Sequence, residues 1–101
     1  MSDKNSLEEL ALAVDEAQWQ WLKPHLERGA IITVSAALDL AEAGERIAAD
    51  DMTLVSQWIE SGKVGKPTLD QITAWDAEPA KKFLMLVISP YVLIQEIGIM
   101  N

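Results

Sequence analysis

The chain contains no cysteine, which removes disulfides, thiolate nucleophiles and cysteine metal sites together. Its single histidine, His25, leaves any zinc site dependent on carboxylates. Basic residues are scarce: 8 Lys and Arg stand against 16 Asp and Glu, for a net charge of −8. Such a chain repels phosphate backbones at long range and starts with a penalty as a nucleic-acid binder. Long apolar runs are absent too. The most apolar segment, Phe83–Ile94, is too short to span a bilayer and is interrupted by Ser89-Pro90. The first ten residues, MSDKNSLEEL, are polar and acidic where a signal peptide would be basic and then apolar. A soluble cytoplasmic protein with no membrane attachment is the expectation.

What is present is ordinary globular composition. Of 101 residues, half are hydrophobic and a quarter charged, which argues against disorder. A single domain over 1–101 follows, with 1–6 and 97–101 loosely held. No repeat, linker or low-complexity segment divides it. Four tryptophans are many for this length, and burying each removes on the order of 200 Å² from water.

The charge is uneven. Residues 1–60 hold twelve acids and four bases, a net of −8, whereas residues 61–101 hold four of each. Lys63, Lys66, Lys81 and Lys82 are the bases of the second part, and they form a candidate basic patch.

Periodicity predicts a small α+β domain. Leu7, Leu10, Ala11, Val14, Ala17 and Trp21 recur at helical spacing, so 7–22 reads as one or two helices with a restart at Asp15. On that projection Trp21 joins the apolar stripe and Trp19 points away from it. Pro24 is expected to end or kink the helix. Residues 30–35, AIITVS, read as a buried strand, and Ser35 as the cap of a helix bearing Ala37, Leu40, Ala41, Gly44, Ile47 and Ala48. These small residues would permit close approach to a neighbouring sheet or helix. Asp50-Asp51 starts a helix with Met52, Val55, Trp58 and Ile59 as its apolar face, and Gly62 ends it in a left-handed conformation. Thr68 and Gln71 form a T-x-x-Q capping box. Residues 83–88 read as a strand covered on both faces, resumed by 91–95 beyond Ser89-Pro90. The expected architecture is a sheet of two or three strands, from 30–35 and 83–95, under four or five short helices.

The stretch SGKVGKPTLDQ, 61–71, looks at first like chemistry. A phosphate loop needs G-x-x-x-x-G-K-[ST] after a strand. Here the glycines are too close, Pro67 separates Lys66 from Thr68, and a helix precedes the loop. Gly62-Lys63-Val64-Gly65 does match the G-x-x-G spacing of KH domains, which clamp nucleotide backbone between two helices. The two helices could instead form a helix-turn-helix, but 68–77 offers Asp70 and Asp76 and no base.

Other candidates are weaker. His25 could act as a base or metal ligand with carboxylates, or simply close a helix end. Ser35 and Ser89 follow strands, but neither lies in a nucleophile elbow. Asp39, Glu42 and Glu45 read as a solvated face rather than an ion site. No catalytic residues, metal ligands or cofactor are assigned. Trp19, Pro24 and His25 mark an exposed-looking turn suited to a protein contact, with burial of Trp19 as the alternative. Pro90 and Tyr91 mark either a core edge or a strand edge able to pair with a second copy.

Several segments together carry a resemblance. DEAQWQWLKPH (15–25), VSAALDL (34–40), IAADD (47–51), VSQWI (55–59), KPT (66–68) and PYVLIQ (90–95) resemble a bacterial family called domain of unknown function 2288. The resemblance implies a stand-alone bacterial cytoplasmic protein and supplies no reaction, cofactor or partner. The resemblance also associates the family with the KPT step rather than a paired G-x-x-G, so Gly65 departs from the family pattern.

Three functions remain open. The first is a non-enzymatic interaction module or homodimer, associating along the 83–95 strands or the Trp19–His25 turn. The second is a nucleic-acid-binding module using the 62–68 loop and the four lysines. The third is a small enzyme or metal protein using His25 and carboxylates.

Overall fold

The computed structural model describes residues 7–97. Helix α1 (Leu7–Ala13) is followed by strand β1 (Asp15–Gln18), helix α2 (Trp19–Glu27) and strand β2 (Ile31–Val34). Helices α3 (Leu40–Ala48) and α4 (Met52–Glu60) then precede strand β3 (Val64–Gly65). Helix α5 (Leu69–Asp76) leads into strands β4 (Lys82–Ile88) and β5 (Tyr91–Glu96).

The fold is α+β, but its sheet has five strands rather than two or three, in the order β1-β4-β5-β2-β3. Only β2 and β5 run parallel, with Ile31 opposite Val92 and Thr33 opposite Ile94. The segments 83–88 and 91–95 form an antiparallel hairpin, Val87 facing Val92, and not one interrupted strand. The turn holds a cis Ser89-Pro90 bond. Both hairpin strands are central in the sheet, although β1 pairs with β4 only at 82–85. The edges belong to β1 and β3, the two strands the sequence does not announce. Asp-Glu-Ala-Gln has poor strand propensity, and its pairing with β4 decides the matter, Ala17 opposite Phe83.

Alternation along β4 and β5 sends side chains to two cores. Leu86, Ile88 and Leu93 meet Leu10 of α1 and Leu40, Ala41 and Ala43 of α3, with Trp58 of α4 packed alongside. On the opposite face Phe83, Val92 and Ile94 meet Trp19 and Leu22 of α2 and Trp75 of α5. Small residues on α3 do allow close approach: a Cβ on Gly44 would lie 2.5 Å from Leu86 Cδ2. Gln95, buried among apolar neighbours, donates from Nε2 to the carbonyls of Ser35 at 2.8 Å and Leu38 at 2.7 Å. It ties the β2–α3 connection to the sheet.

Helix ends follow a common pattern. In α4 the N–H of Gly62 donates to Ile59 and that of Lys63 to Trp58, the two bonds of a Schellman motif, and Gly62 has φ +78°. The same pair closes α2 at Gly29, and it closes α3 at Asp50, which adopts φ 60° without being glycine. Asp51 accepts from Leu54 N–H and caps α4. The capping box of α5 has both bonds, Gln71 N–H to Thr68 Oγ1 and Thr68 N–H to Gln71 Oε1. The expected cap of α3 is wrong, and of the two outcomes expected at Pro24 the ending does not occur. The α3 cap is Asp39, accepting from Glu42 N–H, while Ser35 Oγ accepts from Ala37 N–H in the preceding turn. Pro24 lies inside α2 without ending it; the carbonyl it leaves without a donor belongs to exposed Gln20, where water can serve it. The loose ends expected at 1–6 and 97–101 fall, Ile97 apart, outside the described residues.

Candidate functional site

The second core face is organised by aromatic rings. Trp19 and Trp75 meet edge-on at 5.0 Å between centroids, and Trp75 meets Phe83 at 4.9 Å, geometries that the ring quadrupoles favour. Trp19 is therefore interior, at 1% exposure, and Trp21 is the outward residue at 60%. This reverses the projection from sequence. The helix begins at Trp19, after an intervening strand, so an apolar phase carried through from Leu7 no longer applies. The Trp19 indole N–H finds its partner at the rim, Asp76 Oδ1, at 2.8 Å. Lys23 Nζ approaches the same oxygen at 3.0 Å. The Trp19 hydrogen bond first, then Lys23, hold the Asp76 carboxyl below the usual carboxylate range.

Beside this cluster lies a groove of about 390 Å³, between α5, the 62–63 turn and the carboxyl ends of β2 and β5. Thr33, Ser35, Lys63, Gln71, Trp75 and Glu96 are among its lining residues. Lys63 is anchored through its backbone on both sides: its N–H donates to Trp58 and its carbonyl accepts from Ser35 N–H at 2.7 Å. Thr33 Oγ1 is occupied by the Gly65 carbonyl. Glu96 Oε1 faces Lys81 Nζ at 3.6 Å, partly exposed.

Of the four lysines, Lys63, Lys81 and Lys82 border different depressions. Lys81 lies over the Phe83 ring, on the aromatic face, and borders a shallow depression with Asp70, Glu78 and Glu96. Lys82, one residue on, points to the other face and borders Glu16, Gln18 and Trp21. Lys63 is at the groove, and Lys66 follows β3. The sheet's alternation thus puts Lys81 and Lys82 on opposite faces. Gly62-Lys63-Val64-Gly65 is also not a free loop between helices. Val64 and Gly65 form β3, paired with Val34 and Thr33, and this removes the KH geometry.

His25 is half-buried in the last turn of α2, where its Nδ1 accepts from the Arg28 guanidinium. Its neighbour is a cation, not the carboxylate that a metal or relay site would use. Among the described residues no group of three or more His, Asp or Glu side chains is placed to hold a metal ion. Nor is any described helix long and apolar enough to cross a membrane. Pro24, Pro90 and Tyr91 are exposed, yet the structure does not bring them together with Trp19 into one surface.

The residues that sequence reasoning undervalued lie on α4. No residue of this nine-residue helix is fully buried. Leu54 and Trp58 lean inward and are half-buried. Met52 and Ile59, spaced i, i+7, are 66% and 56% exposed, and Val55 between them is half-buried. Residues 52–59, MTLVSQWI, carry no charge. The signal was legible as an apolar face wider than one core contact requires.

Comparison with known proteins agrees with this fold. A search of curated proteins finds no match. The solution structure of PA1075 from Pseudomonas aeruginosa is similar over 92% of this chain and 86% of that one, at 33% identity and a TM-score of 0.77. The profile of the family described as "Protein of unknown function (DUF2288)" matches residues 5–96. The chain belongs to the DUF2288 family.

Proposed function

We propose that the protein is a non-enzymatic interaction module that pairs with a second copy of itself through α4. The observation that supports this is the exposed, charge-free pair Met52 and Ile59, with half-buried Val55 between them, on a helix with no fully buried residue. A chain of net charge −8 resists pairing with its own copy where acids crowd the surface, and less where they are missing. The exposed face of α4 is such a place, and two of them related by a two-fold axis would meet face to face.

The size of the face sets the strength. Nine residues span about 13 Å, so two α4 faces bury less than the roughly 1,200 Å² of a standard interface. The association is weak and reversible, of the kind that a partner protein with a similar apolar face can compete for. Light scattering on a sizing column, over a concentration series, tests it. A mass rising from monomer to dimer supports the proposal, and a monomer throughout overturns it.

A further inference from the structure

We propose that the groove at the carboxyl ends of β2 and β5 binds a small zwitterion of the amino-acid type. The ligand carboxylate lies at Lys63 and Gln71 and its ammonium at Glu96. Where parallel strands end side by side and their connections leave the sheet, a crevice opens that α/β proteins use for ligands. Here β2 and β5 are that parallel pair, and the crevice is about 390 Å³, ample for one amino acid with its side chain.

The choice of ligand follows from hydrogen-bonding capacity left unspent among the described residues. Gln71 uses Oε1 on Thr68 N–H, which turns its amide nitrogen, a donor of two hydrogens, to other use. Lys63 makes none of the described ion pairs, and its backbone bonds to Trp58 and Ser35 fix where its side chain starts. These are two donors for one carboxylate. Glu96 meets Lys81 through one oxygen at 3.6 Å with half of its side chain exposed. A surface pair of this kind is worth about 0–1 kcal/mol, so Glu96 remains able to take an ammonium. A cation and an anion that line the same groove favour a ligand carrying both charges. A phosphate or dicarboxylate would meet Glu96 and the net charge of −8 unfavourably. Trp75 and Ile94 supply the apolar side of the groove.

Titration of the ¹⁵N-labelled protein with L-leucine, followed by amide spectra, tests the site. The expected result is saturable shifts at the Lys63 and Glu96 amides and at the Gln71 side-chain NH₂. 4-Methylpentanoate, which lacks the amine, and 3-methylbutylamine, which lacks the carboxylate, should bind about tenfold more weakly or worse, as should Lys63→Ala and Glu96→Gln. Both substitutions are at exposed side chains, and an otherwise unchanged spectrum shows that they fold. Linear shifts without saturation overturn the proposal. So does equal affinity for the three ligands, or undiminished binding by Lys63→Ala. A variant with a charged α4, Met52→Glu with Ile59→Glu, should bind leucine as the parent does, which keeps this outcome separate from that of dimerisation.

Discussion

The indole nitrogen of Trp19 donates to Asp76 Oδ1 at 2.8 Å, joining the first residue of α2 to the last of α5. One carboxylate thus satisfies a ring that is otherwise sealed inside the protein, and Lys23 pairs with the same oxygen.

The pH dependence of this contact has a definite sign. The folded state holds the Asp76 carboxyl below its ordinary value of 3.8. The contact therefore contributes stability above that value, lost as pH falls through the depressed folded pKa. Asp76→Asn keeps an oxygen for the indole and removes the charge. Denaturant unfolding from pH 6 to pH 2.5 should show a smaller acid loss in the variant than in the parent. An identical slope would remove Asp76 from the acid response.

Trp19 itself is a packing residue. Trp19→Ala should cost about 3–5 kcal/mol, the range for a large buried aromatic, and Trp19→Phe distinctly less because the ring contacts with Trp75 and Phe83 survive. Urea midpoints give both values. A loss within about 0.5 kcal/mol for Trp19→Ala, the scale of surface substitutions, would contradict the interior placement.

Gly44 is fixed by the neighbouring strand. Alanine improves helix propensity by about 1 kcal/mol, but its Cβ would stand 2.5 Å from Leu86 Cδ2 and 3.4 Å from Ile88 Cδ1. Leu86 is itself buried and has nowhere free to turn. Overpacking costs about 1–3 kcal/mol, so Gly44→Ala should lower the melting temperature by several degrees. An increase would show that α3 can lift from the sheet without penalty.

Asp50 presents the opposite case. It holds φ 60°, where glycine is unstrained, and it places an acid at the carboxyl end of α3, against the helix dipole. Asp50→Gly should stabilise by about 0.5–1 kcal/mol, read as a higher urea midpoint with an unchanged slope. A lower midpoint would mean that the side chain has a structural duty beyond its turn.

For the α4 face, Met52→Glu with Ile59→Glu should abolish self-association while leaving stability within about 0.5 kcal/mol, since both side chains are exposed. Sedimentation equilibrium and urea unfolding read the two quantities separately. A dimer that persists in the variant would move the interface elsewhere.

Much of the fold was legible from local chemistry. The Thr68–Gln71 box, Asp51 before Met52 and Gly62 after Glu60 act within a few residues of themselves, so the sequence carries their whole cause. The strands β1 and β3 were not legible, because Asp15–Gln18 and Val64–Gly65 become strands only through partners at 82–85 and 33–34. Missing β1 carried a helical phase across it and exchanged Trp19 for Trp21. The groove was hidden for the same reason: Lys63, Gln71 and Glu96 are brought together by the parallel pairing of β2 with β5, which no local pattern encodes.

Asp51 contributes to two helices. Its N–H donates to the Arg46 carbonyl, closing α3, and its side chain caps Leu54 N–H, opening α4. Its carboxylate also lies 3.7 Å from the Arg46 guanidinium. The corner between the helices is thus braced through one residue. A substitution at Asp51 would therefore loosen the end of one helix and the start of the next together.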